Sequence, residues 1–236
     1  MNRAEQKTFA AAAALDYVED GMVIGLGSGS TAEIFIAQLG EALAKGAFNK
    51  IRGIPTSKAS AAAAEAAGVP LIEPDHAARI DLTIDGADEV DGDFNLIKGG
   101  GACLLREKII AHASDLMIVI VDESKMVEAL GEYALPVEVD PFSFTLTARK
   151  VFDLLRACGI KRPDVTLRTK ADTGEPLITD GGHYILDCAC GLIPDPEVVA
   201  HNLNTIPGVV ENGLFVDLAR TVIIGAEDGV QILELG

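Results

Sequence analysis

Residues 22–44 read MVIGLGSGSTAEIFIAQLGEALA, and this stretch decides the fold. Met22–Gly27 is an apolar run of strand length, and Thr31–Ala44 spaces Ile34, Ile36, Leu39 and Leu43 as a helix does. The alternation continues downstream. Ile51–Thr56 and Val69–Glu73 read as short strands around a helix Ala59–Ala67 that stops at Gly68, and Ile80–Asp85 is another strand. Glu89-Val90 and Phe94–Ile97 flank Asp91-Gly92, the signature of a two-residue hairpin turn. Cys103–Ala113 is helical, and Leu116–Asp122 is an uninterrupted apolar strand of the kind covered on both faces. Strands alternating with helices predict an α/β fold built on a doubly wound, mostly parallel sheet.

The pattern changes after Leu130-Gly131. A strand Val137–Asp140, a helix Thr145–Cys158 with Leu146, Val151, Leu154 and Leu155 inward, and strands Val165–Thr169 and Tyr184–Ala189 follow in turn. A helix Asp195–Asn204 and a strand Val209–Phe215 complete a βαββαβ series, the split βαβ arrangement of ferredoxin-like α+β domains. Thr221–Ala226 and Val230–Leu235 return as strands to the first domain. The expected organisation is a Rossmann-like catalytic domain at 1–130 and 208–236, with 131–207 inserted as the α+β domain.

Composition limits the possible partners. The chain has 236 residues with 36 Asp+Glu against 19 Lys+Arg, a net charge of −17. Such acidity excludes a nucleic-acid or anionic-membrane binder working through bulk charge, because phosphate contacts need clustered Lys and Arg. Mean hydropathy of +0.29 excludes disorder. No apolar run reaches membrane-spanning length, and the start lacks a signal-peptide layout. The four cysteines are too few for a disulfide scaffold, so a reducing, cytoplasmic setting is expected. Cys188-x-Cys190 has no second cysteine pair, and the four histidines are scattered, so core packing is expected there rather than a zinc site.

Three segments carry chemistry. Gly25–Thr31 (GLGSGST) follows a strand and opens a helix, where backbone N–H groups and the positive helix terminus receive an anion. Ser30 replaces the third glycine of a dinucleotide fingerprint, and no Gly-Lys-Ser/Thr follows, so a phosphomonoester suits this loop better than NAD or a nucleoside triphosphate; a serine-rich helix cap is the competing reading. Asp85-Gly86-Ala87-Asp88 ends a strand on the edge where open α/β sheets bind ligands. Its carboxylates suit sugar hydroxyls or proton transfer, and an Asp-capped loop or a divalent-metal site reads as well. An EF-hand is excluded because Leu96 stands where glycine is required and Ala102 where glutamate is.

Lys98-Gly99-Gly100-Gly101 then brings backbone close to a ligand, with a cation at its entrance. On the next helix, at about 100° per residue, Glu107 falls midway along an apolar arc of Ile110, Cys103, Ala111 and Leu104. Lost hydration there raises a carboxylate's pKa toward that of a useful base; an ion pair with Lys98 or Arg106 is the competing reading. Leu105 and Ile109 make the other side apolar too, so the helix is expected to be well buried. Lys125 follows the strand Leu116–Asp122 on the ligand edge, and Lys7, placed before the first helix, is a further phosphate contact; each reads equally as a solvated lysine.

With GLGSGST, Asp85–Glu89 (DGADE), Lys98–Lys108 (KGGGACLLREK), Leu135–Val139 (LPVEV) and Ile206–Leu214 (IPGVVENGL), the sequence resembles the type A ribose-5-phosphate isomerases. The matching stretches span nearly the whole chain. Ser28 stands where that family often has threonine, and Cys103 where it often has alanine.

The resemblance implies interconversion of D-ribose 5-phosphate and D-ribulose 5-phosphate in the non-oxidative pentose phosphate pathway, with no cofactor. It implies Glu107 as the base, Lys98 and the N–H groups of Gly99, Gly100 and Gly101 on the oxyanion, and Asp85 in ring opening. Gly86, Ala87 and Asp88 would position hydroxyls, and Ser28, Gly29, Ser30, Thr31, Lys125 and Lys7 would hold the phosphate. A homodimer or higher even homo-oligomer is expected, with the inserted domain used in assembly. Two other readings compete. A non-catalytic sugar-phosphate sensor would need neither Glu107 nor Asp85, and an amino-sugar phosphate deaminase would favour a histidine that none of these motifs contains.

Overall fold

The computed structural model describes residues 1–235; Gly236, the end of the expected first domain, lies outside the described residues. The chain runs through α1 (Arg3–Ala14), β1 (Val23–Leu26), α2 (Ser30–Ala44), β2 (Arg52–Pro55), α3 (Lys58–Ala66), β3 (Leu82–Asp85), β4 (Glu89–Val90) and β5 (Leu96–Ile97). It continues with α4 (Leu104–Ala113), β6 (Met117–Asp122), β7 (Leu135–Val139), α5 (Phe144–Ala157), β8 (Asp164–Leu167) and β9 (Tyr184–Ala189). Last come α6 (Pro196–Leu203), β10 (Val209–Asn212), β11 (Leu214–Phe215), β12 (Ala219–Ala226) and β13 (Gly229–Glu234). Two compact units result: Met1–Ala87 with Arg106–Met126 and Leu218–Gly236, and Asp88–Leu105 with Val127–Asp217.

In the first unit a six-stranded sheet has the order β2-β1-β3-β6-β12-β13. All neighbours are parallel except the edge strand β13, which returns antiparallel to β12. The strand period of two sorts side chains between the faces. Ile24, Leu26 and Ile84 join Ala10, Ala11 and Ala14 of α1 and Phe35, Ile36 and Leu39 of α2 in one core. On the opposite face, Val23 packs with Ile54, Ile80 and Ile110 of α4. Small residues let α1 approach the sheet closely: a Cβ added at Gly225 of β12 would lie 1.9 Å from the Gln6 carbonyl oxygen. Gly225→Ala must therefore push a helix backbone off the sheet. A loss of about 2–3 kcal/mol is expected, read as a lower denaturant midpoint at unchanged m-value.

The second unit contains a four-stranded antiparallel sheet, β10-β7-β9-β8, with α5 and α6 contributing to one core. Its βαββαβ order agrees with the sequence. A separate small sheet, β11-β5-β4, also belongs to this unit. The unit is larger than the 131–207 insertion read from sequence. The Glu89 side chain accepts the Gly131 and Tyr133 N–H groups at 2.7 and 2.5 Å, and Leu214 pairs with Ile97 across β11 and β5. These ties draw 88–105 and 208–217 into the second unit.

Several local expectations are corrected. Val69–Glu73 forms only a single bridge, Leu71 to Gly53, because Pro70 and Pro74 remove ladder donors. The β4–β5 hairpin closes through Asp91–Asn95 rather than two residues, since the Asp91 carboxylate collects the N–H groups of Asp93 and Asn95. Val209–Phe215 is two strands, because Gly213 leaves the larger sheet: its N–H reaches Pro136 while its carbonyl receives the Lys98 N–H at 2.9 Å. Leu146 points outward at 58% exposure, and Thr147, Val151 and Leu155 form the inner face of α5. On α4, Ile109 is 55% exposed, so only one side of that helix is covered. Among the described residues no helix is long and apolar enough to cross a membrane.

Candidate active site

In the first unit the chain leaves β1 for β2 on one side of it and reaches β3 on the other, so the switch point of the sheet lies between β1 and β3. The loops that follow these strands hold the glycine turn and Asp85. Asp85 is fully buried, and its Oδ1 accepts the Ser28 N–H at 3.0 Å and the Gly86 N–H at 2.8 Å. Gly27 is required here, because a Cβ would fall 2.2 Å from that same oxygen. Ser28 Oγ lies 2.8 Å from Thr56 Oγ1 and 2.7 Å from Ser57 Oγ, which ties the loop to the end of β2.

After Gly29, at φ +96°, α2 begins at Ser30 with no side chain accepting its first-turn N–H groups. Helices α1 and α3, by contrast, both carry reciprocal capping boxes. The first-turn N–H groups of Ser30 and Thr31 thus have no side-chain acceptor. Lys7 lies within α1 rather than before it, and its Nζ donates to Ser30 Oγ at 2.9 Å. A primary ammonium therefore stands at the mouth of this loop. Lys125 closes the single helical turn after β6, on the same strand edge, and is half-buried.

Thr83 and Asp85 alternate onto the sheet face that α4 covers. A Cβ at Gly25 would meet both Thr83 Oγ1 and Ile110, and Thr83 Oγ1 lies 2.6 Å from Ser114 Oγ just past α4. Glu107 sits on the covered side of that helix, 4% exposed, in line with buried Leu104, Ile110 and Ala111. Two carboxylates, Asp85 and Glu107, thus belong to the same side of one sheet.

In the second unit the glycine segment is a tight turn, with the Ala102 N–H donating to the Gly99 carbonyl at 3.0 Å. Gly99 has φ +105° and Ala102 φ +58°, a left-handed region costly for alanine and ordinary for glycine. The Gly100 N–H donates to Asp88 Oδ2 at 2.8 Å. A side chain at Gly100 would lie 2.7 Å from both Asp88 Oδ1 and Tyr133 Oη. Lys98 is 3% exposed, with Nζ 5.5 Å from the centre of the Phe215 ring. The ammonium thus lies over the face of an aromatic ring.

Sequence reasoning missed Arg168, Asp187 and Tyr133. The Arg168 guanidinium donates to the Gly99 and Gly100 carbonyls at 2.8 and 3.0 Å, and to both carboxylate oxygens of Asp187 at 2.9 and 2.5 Å. Burial works against its charge, and the Asp187 carboxylate more than offsets this, so its pKa rises. Burial and the nearby Asp88 carboxylate likewise push the Tyr133 hydroxyl up. Arg168 directly after β8 and Asp187 on β9, opposite charges on consecutive elements, are a readable hint of that pair; the grip on a turn 69 residues away is not.

Comparison with known proteins decides the family. The family model for ribose 5-phosphate isomerase A (phosphoriboisomerase A) matches residues 52–229. A ribose-5-phosphate isomerase A from Maricaulis maris is 63% identical over the full length of both chains. The chain belongs to the ribose-5-phosphate isomerase A family.

The relatives agree in sequence and in fold. The Brucella suis isomerase A is 52% identical over 96% of each chain. A D-ribose-5-phosphate isomerase solved in complex with phospho-erythronic acid is 42% identical, with TM-score 0.93 over all of both chains. The Methanocaldococcus jannaschii isomerase A has TM-score 0.90 at 37% identity, covering 98% of this chain and 99% of its own. The present chain is accordingly an isomerase. Within its described residues no group of three or more His, Cys, Asp or Glu side chains is arranged to hold a metal ion; Cys188 and Cys190 lie buried in or beside β9, with burial pushing the Cys190 thiol up to about 12.

Proposed function

We propose that the chain interconverts D-ribose 5-phosphate and D-ribulose 5-phosphate, with Glu107 as the base. The observation that carries this reading is the pair of buried carboxylates, Asp85 and Glu107, on one face of the sheet whose switch point also presents an uncapped helix N-terminus and Lys7. Asp85 serves as acid and base in opening the furanose, which exposes the C1 aldehyde. Glu107 removes the proton from C2, the electron pair moves onto the C1 oxygen as an enediolate, and Glu107 returns the proton to C1. A proton exchanged between the two oxygens completes the ketose. No oxidant or reductant enters the balance.

Lys98 and the Gly101 N–H supply positive charge to the enediolate oxygens, while Asp88, which takes the Gly100 N–H, orients hydroxyls. Ser28, Gly29, Ser30 and Thr31 hold the phosphate with Lys7 and Lys125, and Gly86 and Ala87 shape the adjoining turn. A cytoplasmic homo-oligomer belongs to the same reading. The exposed Phe142 and Leu146 of the second unit support self-association, which sedimentation would measure.

Ribulose 5-phosphate formation by the purified, EDTA-treated protein tests the proposal. Turnover supports it, and absence of turnover on ribose 5-phosphate overturns it. Lys125→Ala tests the phosphate assignment: a KM about tenfold higher is expected, with kcat within about twofold, because a non-reacting group contributes equally to ground and transition states. A fall in kcat alone would remove Lys125 from the phosphate.

A further inference from the structure

A trans peptide points the carbonyl of one residue and the N–H of the next in opposite directions, and among the described residues no peptide bond is cis. Arg168 holds the Gly99 carbonyl, and the N–H of that same peptide, on Gly100, turns the other way to Asp88 Oδ2. The Gly100 carbonyl is held by the same Nη1 at 3.0 Å, so the Gly101 N–H also faces away from Arg168. Gly100 and Gly101 are exposed, whereas Lys98 and Gly99 before them are buried.

Successive glycines have wide backbone freedom. The Ala102 N–H and Asp88 hold the Gly99–Gly100 peptide plane, and the Gly100–Gly101 plane is tied through its carbonyl to Arg168. A fork is needed that reaches two carbonyls on one side and a carboxylate on the other. Guanidinium supplies it, and a point-charged ammonium does not. Asp187 holds the fork in place through both its oxygens.

We propose that Arg168 is a positioning residue of the isomerase: its grip on the Gly99 and Gly100 carbonyls turns the Gly101 N–H toward the oxygen that becomes negative in the enediolate. The inference rests on the function proposed above. Arg168 itself touches no substrate. It acts through the turn, and Asp187 acts through Arg168. Their contribution therefore belongs to the transition state and leaves phosphate recognition untouched.

The test compares Arg168→Lys and Asp187→Asn with the parent protein, each checked for folding by thermal unfolding and circular dichroism. For Arg168→Lys, kcat on ribose 5-phosphate is expected to fall about 30- to 300-fold with KM within about threefold, as for loss of one oxyanion donor. Inhibition by phospho-erythronate, whose carboxylate carries the charge an enediolate develops, should weaken by a similar factor. Inhibition by inorganic phosphate should not change. Asp187→Asn, which loosens the fork without removing it, should give a smaller loss of the same kind. Arg168→Gly should regain activity with added guanidinium ion.

A folded Arg168→Lys protein with kcat within threefold of the parent overturns the proposal. So does a KM and a phosphate inhibition constant that rise together, since Arg168 would then be a binding residue. If Arg168→Lys fails to fold, Asp187→Asn is measured in the same way, and an unchanged kcat or a joint rise of the two constants overturns the proposal there too. A parent protein without turnover overturns the isomerase reading itself, and with it this one. A parent that turns over beside an unaffected variant overturns only the role of Arg168.

Discussion

Replacing Glu107 with glutamine is expected to lower kcat by about 10³- to 10⁴-fold while KM stays within about threefold. Glutamine keeps the length and shape of the side chain on the covered side of α4, so the packing of Leu104, Ile110 and Ala111 need not change. What is lost is the ability to hold a proton between C2 and C1. Exchange of the C2 hydrogen with solvent deuterium should disappear along with turnover, since both pass through the same proton removal. A variant that folds normally and still isomerises within tenfold of the parent would remove Glu107 as the base. One that loses turnover and keeps C2 exchange would move its role to a later step.

The second large effect is expected from Lys98→Met. Methionine fills a similar volume and can stay against the Phe215 ring, while the positive charge is gone. A fall of about 10²- to 10³-fold in kcat is expected, with KM little altered, because the charge meets the substrate most strongly once the enediolate has formed. The steady-state split decides the role. A raised KM at parental kcat would make Lys98 a phosphate ligand instead.

How much of the molecule is legible in its sequence depends on whether the deciding contacts are local. Met22–Gly27 reads correctly as a strand because both of its faces are apolar in sequence and buried in the fold. Glu107 falls within its arc as expected because helical periodicity alone brings Leu104, Ile110 and Ala111 beside it. The same periodicity cannot say that Ile109 faces outward, since an apolar side chain on the second face of a helix looks identical whether covered or not.

Val69–Glu73 fails as a strand for a local reason, its prolines, that outweighs an apolar pattern. The edges of the second unit escape sequence reading because they depend on the Glu89 carboxylate taking two N–H groups more than 40 residues away. The Arg168 clamp is hidden for the same reason: it is a side chain seeking backbone carbonyls, which no spacing of residue types records. Lys7 reads from sequence as a lysine ahead of the first helix, and only the approach of α1 to α2 sets it against Ser30.

The start of α2 has a thermodynamic consequence. Unlike α1 and α3, this helix brings no side chain of its own to finish its first turn, so on the proposed reading the phosphate of the substrate is its missing cap. Occupancy and folding stability then become linked quantities. A ligand at a hundred times its dissociation constant would add about 2.7 kcal/mol to the folded state, and the amides of the first turn of α2 would be the ones slowed in hydrogen exchange. The folded lifetime of the protein would in that way follow the size of the sugar-phosphate pool around it.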